Sequence, residues 1–187
     1  MALGPAGPAP NLAVLTWIAS LHLPVCRAPA GQPAPAPTLA PIDPGALAVR
    51  FWRTIPLPVP RPTIPPGYAV TGKPAYLVTG GVVRPHPYID ATPLGPLVVQ
   101  ATGAYFVDWG DGTSPAWSGP FQTEGLPYPN GRIAHTYDNV ATVTVTVRER
   151  WTATWSIGPE GGTLGGLATF ATIADFPIRQ LQAIITN

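Results

Sequence analysis

Charge is scarce in this 187-residue chain. Lys and Arg number ten, Asp and Glu nine, and together they are 10% of the residues, against about 25% in an ordinary soluble domain. Net charge is +1, and no basic run or stripe is present. The electrostatic footprint of a nucleic-acid binder is therefore missing. A single cysteine, Cys26, excludes an intramolecular disulfide. Its setting, Leu-Pro-Val-Cys, matches a lipoprotein box poorly and reads as a structural or unpaired thiol. The longest apolar run, residues 11–23, falls short of the roughly 20 residues that span a bilayer as a helix. Phosphate-cradling glycine loops, zinc patterns, dinucleotide fingerprints and a Gly-x-Ser-x-Gly elbow are all absent. A surface this poor in charge suits a free monomer badly. It argues that a partner, or copies of the same chain, cover apolar surface.

What the chain has instead is proline and glycine, 27 and 20 of them, with six tryptophans. The two signals separate along the sequence. Up to residue 66 the chain is a Pro-rich arm. Within it, residues 11–23 read as a short packed or partner-docked helix that Asn11 can cap. A signal-peptide core, with Ala28-Pro29-Ala30 as the cleavage site, is the alternative. Asp43 followed by Pro44 predicts a second short helix over 44–53, with Leu47, Phe51 and Ile55 on one face. Six prolines between Pro56 and Pro66 end that helix and impose an extended strap. The strap lies along its own sheet or, alternatively, docks in an aromatic groove of another protein.

Residues 67–187 read as strands and turns. Tyr68–Val70, Ala75–Val78, Leu94–Ala101 and Ala104–Trp109 are β-rich and punctuated by Gly and Pro. The clearest segment is Ala141–Ile157. Val143, Val145, Val147, Glu149, Trp151, Ala153, Trp155 and Ile157 share one parity. Thr142, Thr144, Thr146, Arg148, Arg150, Thr152, Thr154 and Ser156 share the other. Such alternation gives one apolar and one polar face. The run spans roughly 55 Å at about 3.3 Å per residue. It either bends near Arg148-Glu149-Arg150 or projects as a long hairpin arm. Residues 158–162 turn the chain into Thr163–Ile173, and a last strand covers about Ile178–Ile185.

Three pieces occur in order: Val107-Asp108-Trp109-Gly110-Asp111-Gly112, then His135-Thr136-Tyr137, then Val143-x-Val145-x-Val147. This pattern resembles the PKD (polycystic-kidney-disease) domain family over about residues 97–148. Val107 and Trp109 stand where the family has Trp and Phe. The resemblance implies an Ig-like β-sandwich, with the C-terminal hairpin and the Pro-rich arm as additions. It implies structural roles for Asp108, Trp109, Gly110, Asp111, Gly112, His135 and Tyr137, and no ligand. A fainter resemblance to secreted actinobacterial proteins with a PKD-like domain implies an extracellular or envelope location.

Catalytic and metal readings are weak. Ser114 or Ser118 with His135 and an Asp makes a triad only on paper, and Asp108-x-x-Asp111 lacks calcium-loop spacing. No catalytic residue, metal or cofactor is expected, with calcium at Asp108/Asp111 as the minor option. The candidate interaction residues are Trp17, Trp117, Tyr128, Trp151 and Trp155. Trp117 and Tyr128 lie in a loop, residues 113–131, long enough to suggest binding. The sequence thus predicts a non-catalytic module that binds protein subunits or its own copies. A glycan-binding accessory domain is the alternative, through stacking on these aromatics.

Overall fold

The computed structural model describes residues 40–113 and 115–181. The expected helix at 11–23, Trp17, Cys26, Ser114 and residues 182–185 of the last expected strand lie outside this range. Among the described residues, strand makes up 50% beside a single helix, so this part of the chain is all-β, built on a curled mixed sheet. In chain order the elements are α1 (Pro44–Trp52), β1 (Ala69–Val70), β2 (Pro74–Tyr76), β3 (Tyr88–Thr92) and β4 (Gly95–Asp108). They continue with β5 (Ser118–Phe121), β6 (Ala134–Thr136), β7 (Ala141–Ile157) and β8 (Glu160–Arg179).

The main sheet runs β1-β8-β7-β4-β3, with β5 added to β4. Among the described residues, only β1 with β8 is parallel. β2 and β6 form a separate antiparallel pair. The alternating segment is β7, and its bounds are those the sequence predicts. It does not project as an arm. β4 pairs with it from Thr146 to Ile157, and β8 pairs with it from Ala141 to Ile157. A strand paired on both sides satisfies its backbone fully, so its length is held inside the sheet. The hairpin turns at Gly158-Pro159, with Gly158 at φ +54°. The strand expected over Thr163–Ile173 lies within β8, which runs on to Arg179 and so takes in the first two residues of the last expected strand. Asp175, at φ +51°, sits in the bulge where the register with β7 shifts between Val143 and Val145.

One face of β4 and β7 is buried through Leu97, Val99, Ala101, Tyr105 and Val107 and the odd residues of β7 from Val143 to Ile157, with Trp155 half-buried. Two apolar clusters share this face. The first joins Tyr105, Val107, Trp109, Val145 and Val147 to Leu77, Ile133, Tyr137 and Phe176. The second joins Leu97, Val99, Trp151 and Ile157 to Ala48 and Trp52 of α1 and to Ile55. The clusters meet at Gly103 and Glu149.

The arm does not end at residue 66. The compact unit that holds the sheet begins at Ile42. Asp43 caps α1 by accepting from the Gly45 N–H at 2.8 Å, and Pro44 occupies the first turn. Ala48 and Trp52, four residues apart, turn the same face into the second cluster. Trp52 Nε1 donates to the Gly165 carbonyl of β8 at 3.2 Å. The proline strap then follows its own chain: Thr63 exchanges both backbone bonds with Val78, each at 2.9 Å, and Ile64 is buried. Composition marked this stretch as arm because proline removes donors. Ile55 and Ile64 nevertheless enter the core and Leu57 packs against it, while Val59 is exposed.

Candidate functional site

The motif residues do come together, at a corner of the first cluster. Asp108 turns the chain by accepting from the Gly110 N–H at 3.0 Å. Asp111 accepts from the Thr113 N–H at 3.2 Å and the Thr113 hydroxyl at 2.8 Å through Oδ1. Its Oδ2 meets His135 Nε2 at 2.6 Å. Burial alone would raise the Asp111 carboxyl. The His135 bond, helped by Thr113, holds it below its ordinary value. The His135 ring stacks on Trp109 with centroids 5.0 Å apart. Tyr137, edge-on to both rings, donates its hydroxyl to the Trp109 carbonyl at 3.2 Å. Ser118 is occupied by the Trp109 indole N–H at 3.2 Å. Each of these polar groups is engaged in holding the turn. Among the described residues, no cluster of three or more His, Cys, Asp or Glu could hold a metal ion.

Gly110 is the corner's tightest point. Its φ is +75°, and a Cβ there would run into the Thr144 carbonyl. Glycine reaches this backbone region freely, whereas L-residues do so at a cost. Gly110→Ala is therefore expected to lower stability by more than about 1 kcal/mol, read as a lower urea midpoint. An unchanged midpoint would mean that the corner is not rigid.

The candidate aromatic residues separate. Trp151 is not available to a ligand: it is 1% exposed, and its Nε1 donates to the Thr169 hydroxyl at 3.1 Å. Its parity on β7 directs it into the core. Trp155 is half-buried against the second cluster. Tyr128 is 76% exposed, tilted against Tyr76 at 5.8 Å. Trp117 lies on the opposite, polar face of the sheet, over the Arg148 guanidinium at 4.4 Å. The long loop that carries Trp117 is interrupted by β5.

On this polar face, Phe106, Arg148, Arg150 and Phe170 line a groove of about 540 Å³. Arg148 lies over the Phe106 ring at 5.2 Å as well as the Trp117 ring, and Arg150 lies over Phe106 at 5.4 Å. Phe170, opposite Arg148 in the ladder, is 55% exposed. Sequence reading placed the arginines on the polar face but did not connect them to Trp117 or Phe106. The connection needs the β4–β7 register, which pairs Phe106 with Arg148.

A second group also escaped sequence reading. Glu149 is 0% exposed, opposite Tyr105 in the β4–β7 ladder. Neither carboxylate oxygen has a hydrogen-bond partner, nor does the Tyr105 hydroxyl. Gly103 makes the room, since a Cβ there would meet Glu149 Oε1. Burial pushes the Glu149 carboxyl up to about 7. The charge of Glu124 adds to this. Burial also pushes the Tyr105 phenol up. The available signal was a carboxylate written into the apolar parity of β7.

Finally, β8 exposes an edge. Its outer side has a strand partner only at Ile178 and Arg179 among the described residues. From Glu160 to Phe176 it contains no lysine, arginine or proline. Among the described residues, no helix is long and apolar enough to cross a membrane. Compared with family models, curated proteins and solved structures, the chain finds no match.

Proposed function

We infer that the chain is a non-catalytic assembly module of the cell envelope or of a secreted structure, which pairs with a second copy of itself through β8. The observation that carries this reading is the open edge of β8. An unpaired row of N–H and C=O groups is a template for another strand. Natural edges are blunted by lysine, proline, bulges or brevity; between Glu160 and Phe176, β8 is long and has neither lysine nor proline, and its bulges are confined to the two register shifts with β7. The scarcity of surface charge acts in the same direction, because little repulsion opposes the approach of two copies. In this reading the curled sheet with its β2–β6 pair is a variation on the PKD-like sandwich. Support comes from the motif corner, where Trp109, His135 and Tyr137 lock together around Asp111. Its carboxylate, imidazole and phenol are engaged in that corner, which argues for a structural role.

The full chain is expected to elute as a concentration-dependent dimer or larger species in size-exclusion chromatography with light scattering. Lysines at the exposed edge positions, in an Ala168→Lys/Thr172→Lys variant, are expected to raise the dissociation constant about tenfold or more. A wild-type chain that stays monomeric at millimolar concentration would overturn the reading, as would a double variant that associates equally well.

A further inference from the structure

The geometry points to the groove on the polar face as a binding site for an acidic polysaccharide, one whose successive sugar rings carry carboxylates. The inference is independent of self-association through β8. Arg148 and Arg150 stand two residues apart on one face of β7, about 7 Å along the strand. Neither has an acidic partner within 4.0 Å among the described residues, where the one such pair is His135 with Asp111. Arg148 is ordered in advance by its contacts with the Phe106 and Trp117 rings, and its Nε is buried without an acceptor. Two guanidinium groups held in place and lacking counter-charges select an anion with carboxylate geometry.

The rest of the lining selects a sugar. Thr102, Gln122 and Thr152 offer hydroxyl and amide groups to ring hydroxyls, and Phe170 offers an exposed apolar ring. The C–H face of a sugar packs on such a ring. A peptide strand suits this place poorly. The groove lies on the face of a sheet, where the backbone groups of β4 and β7 are already consumed in the ladder. Recognition must come from side chains alone. A nucleic acid would need a longer basic track than two arginines supply.

The test uses the full chain in isothermal titration with three probes: a hexuronate tetramer, the neutral tetramer of the corresponding hexose, and tetraglutamate. The hexuronate is expected to bind. The neutral sugar and the peptide are expected to bind at least about tenfold more weakly. Arg150 is exposed, so Arg150→Gln leaves the fold intact and is expected to weaken hexuronate binding about tenfold or more. Phe170→Ala is expected to weaken it about threefold or more without altering its salt dependence. Equal binding of the neutral sugar would overturn the role of the arginines. Equal binding of tetraglutamate would reduce the groove to an unselective cationic patch and overturn the sugar assignment. Absence of hexuronate binding, or an Arg150→Gln variant that binds as well as wild type, would overturn the site itself. None of these results depends on whether the chain is a monomer or a dimer.

Discussion

Glu149→Gln is expected to flatten the pH dependence of stability between pH 4.5 and about 7, and to leave the protein markedly more stable than wild type at about pH 8. Glu149 is buried with no hydrogen-bond donor on either carboxylate oxygen. Its carboxyl titrates near 4.5 when unfolded and is pushed up to about 7 by burial in the native state. The folded protein therefore holds a proton that the unfolded chain releases. Stability from this group is complete below pH 4.5 and is lost as pH rises through about 7. At 1.36 kcal/mol per unit of pH, the loss is about 3 kcal/mol. Glutamine imitates the protonated form at all pH values, so the variant lacks this fall. Glu149→Met, which also removes the orphan oxygens, is expected to gain at least as much at about pH 8. Asp111 acts in the opposite sense and in another window. Its carboxyl is held below 3.8, so its contribution is present above that pH and lost on acidification. Urea unfolding at several pH values separates the two groups. Parallel wild-type and Glu149→Gln profiles from pH 4.5 to 7 would show that the carboxylate is hydrated in the native state.

Trp52→Ala is expected to destabilise the protein by about 3–5 kcal/mol, the range for removing a large aromatic side chain from a core. Trp52 is 2% exposed. It joins α1 to the second cluster and to the Gly165 carbonyl. A detachable arm would behave differently, since substitutions away from packed features stay within about 0.5 kcal/mol. Trp52→Phe keeps most of the apolar contact but loses the indole N–H. It is expected to cost about 1–3 kcal/mol, mainly through the unsatisfied carbonyl and the smaller ring. Thermal unfolding of the two variants reads the difference directly. A Trp52→Ala protein as stable as wild type would detach α1 from the folding unit.

Residues within one element were the most legible. The alternation from Ala141 to Ile157 set the bounds of β7 and the face of nearly every side chain in it. Asp43-Pro44 placed the start of α1, and Asp111-Gly112 placed a turn. Short pieces were harder to read. β3 is five residues long with Ile89 exposed, and β6 is three. Neither has a periodic signal of its own, and each exists because a neighbour pairs with it.

By itself the sequence determined an all-β chain, the parity of β7 and the residues of its motif corner. These follow from local rules, because alternation has a fixed period of two and a glycine turn needs no distant partner. The tertiary structure decided the rest. It placed Trp151 inside, brought α1 and the strap onto the sheet, joined Arg148 to Trp117 and Phe106, and enclosed Glu149 between two apolar clusters. The low charge count left few clues to these contacts. Parity tells a side chain which face it occupies, but only the fold determines what covers that face. On β7 the same alternation therefore yields a core on one side and an arginine–aromatic groove on the other.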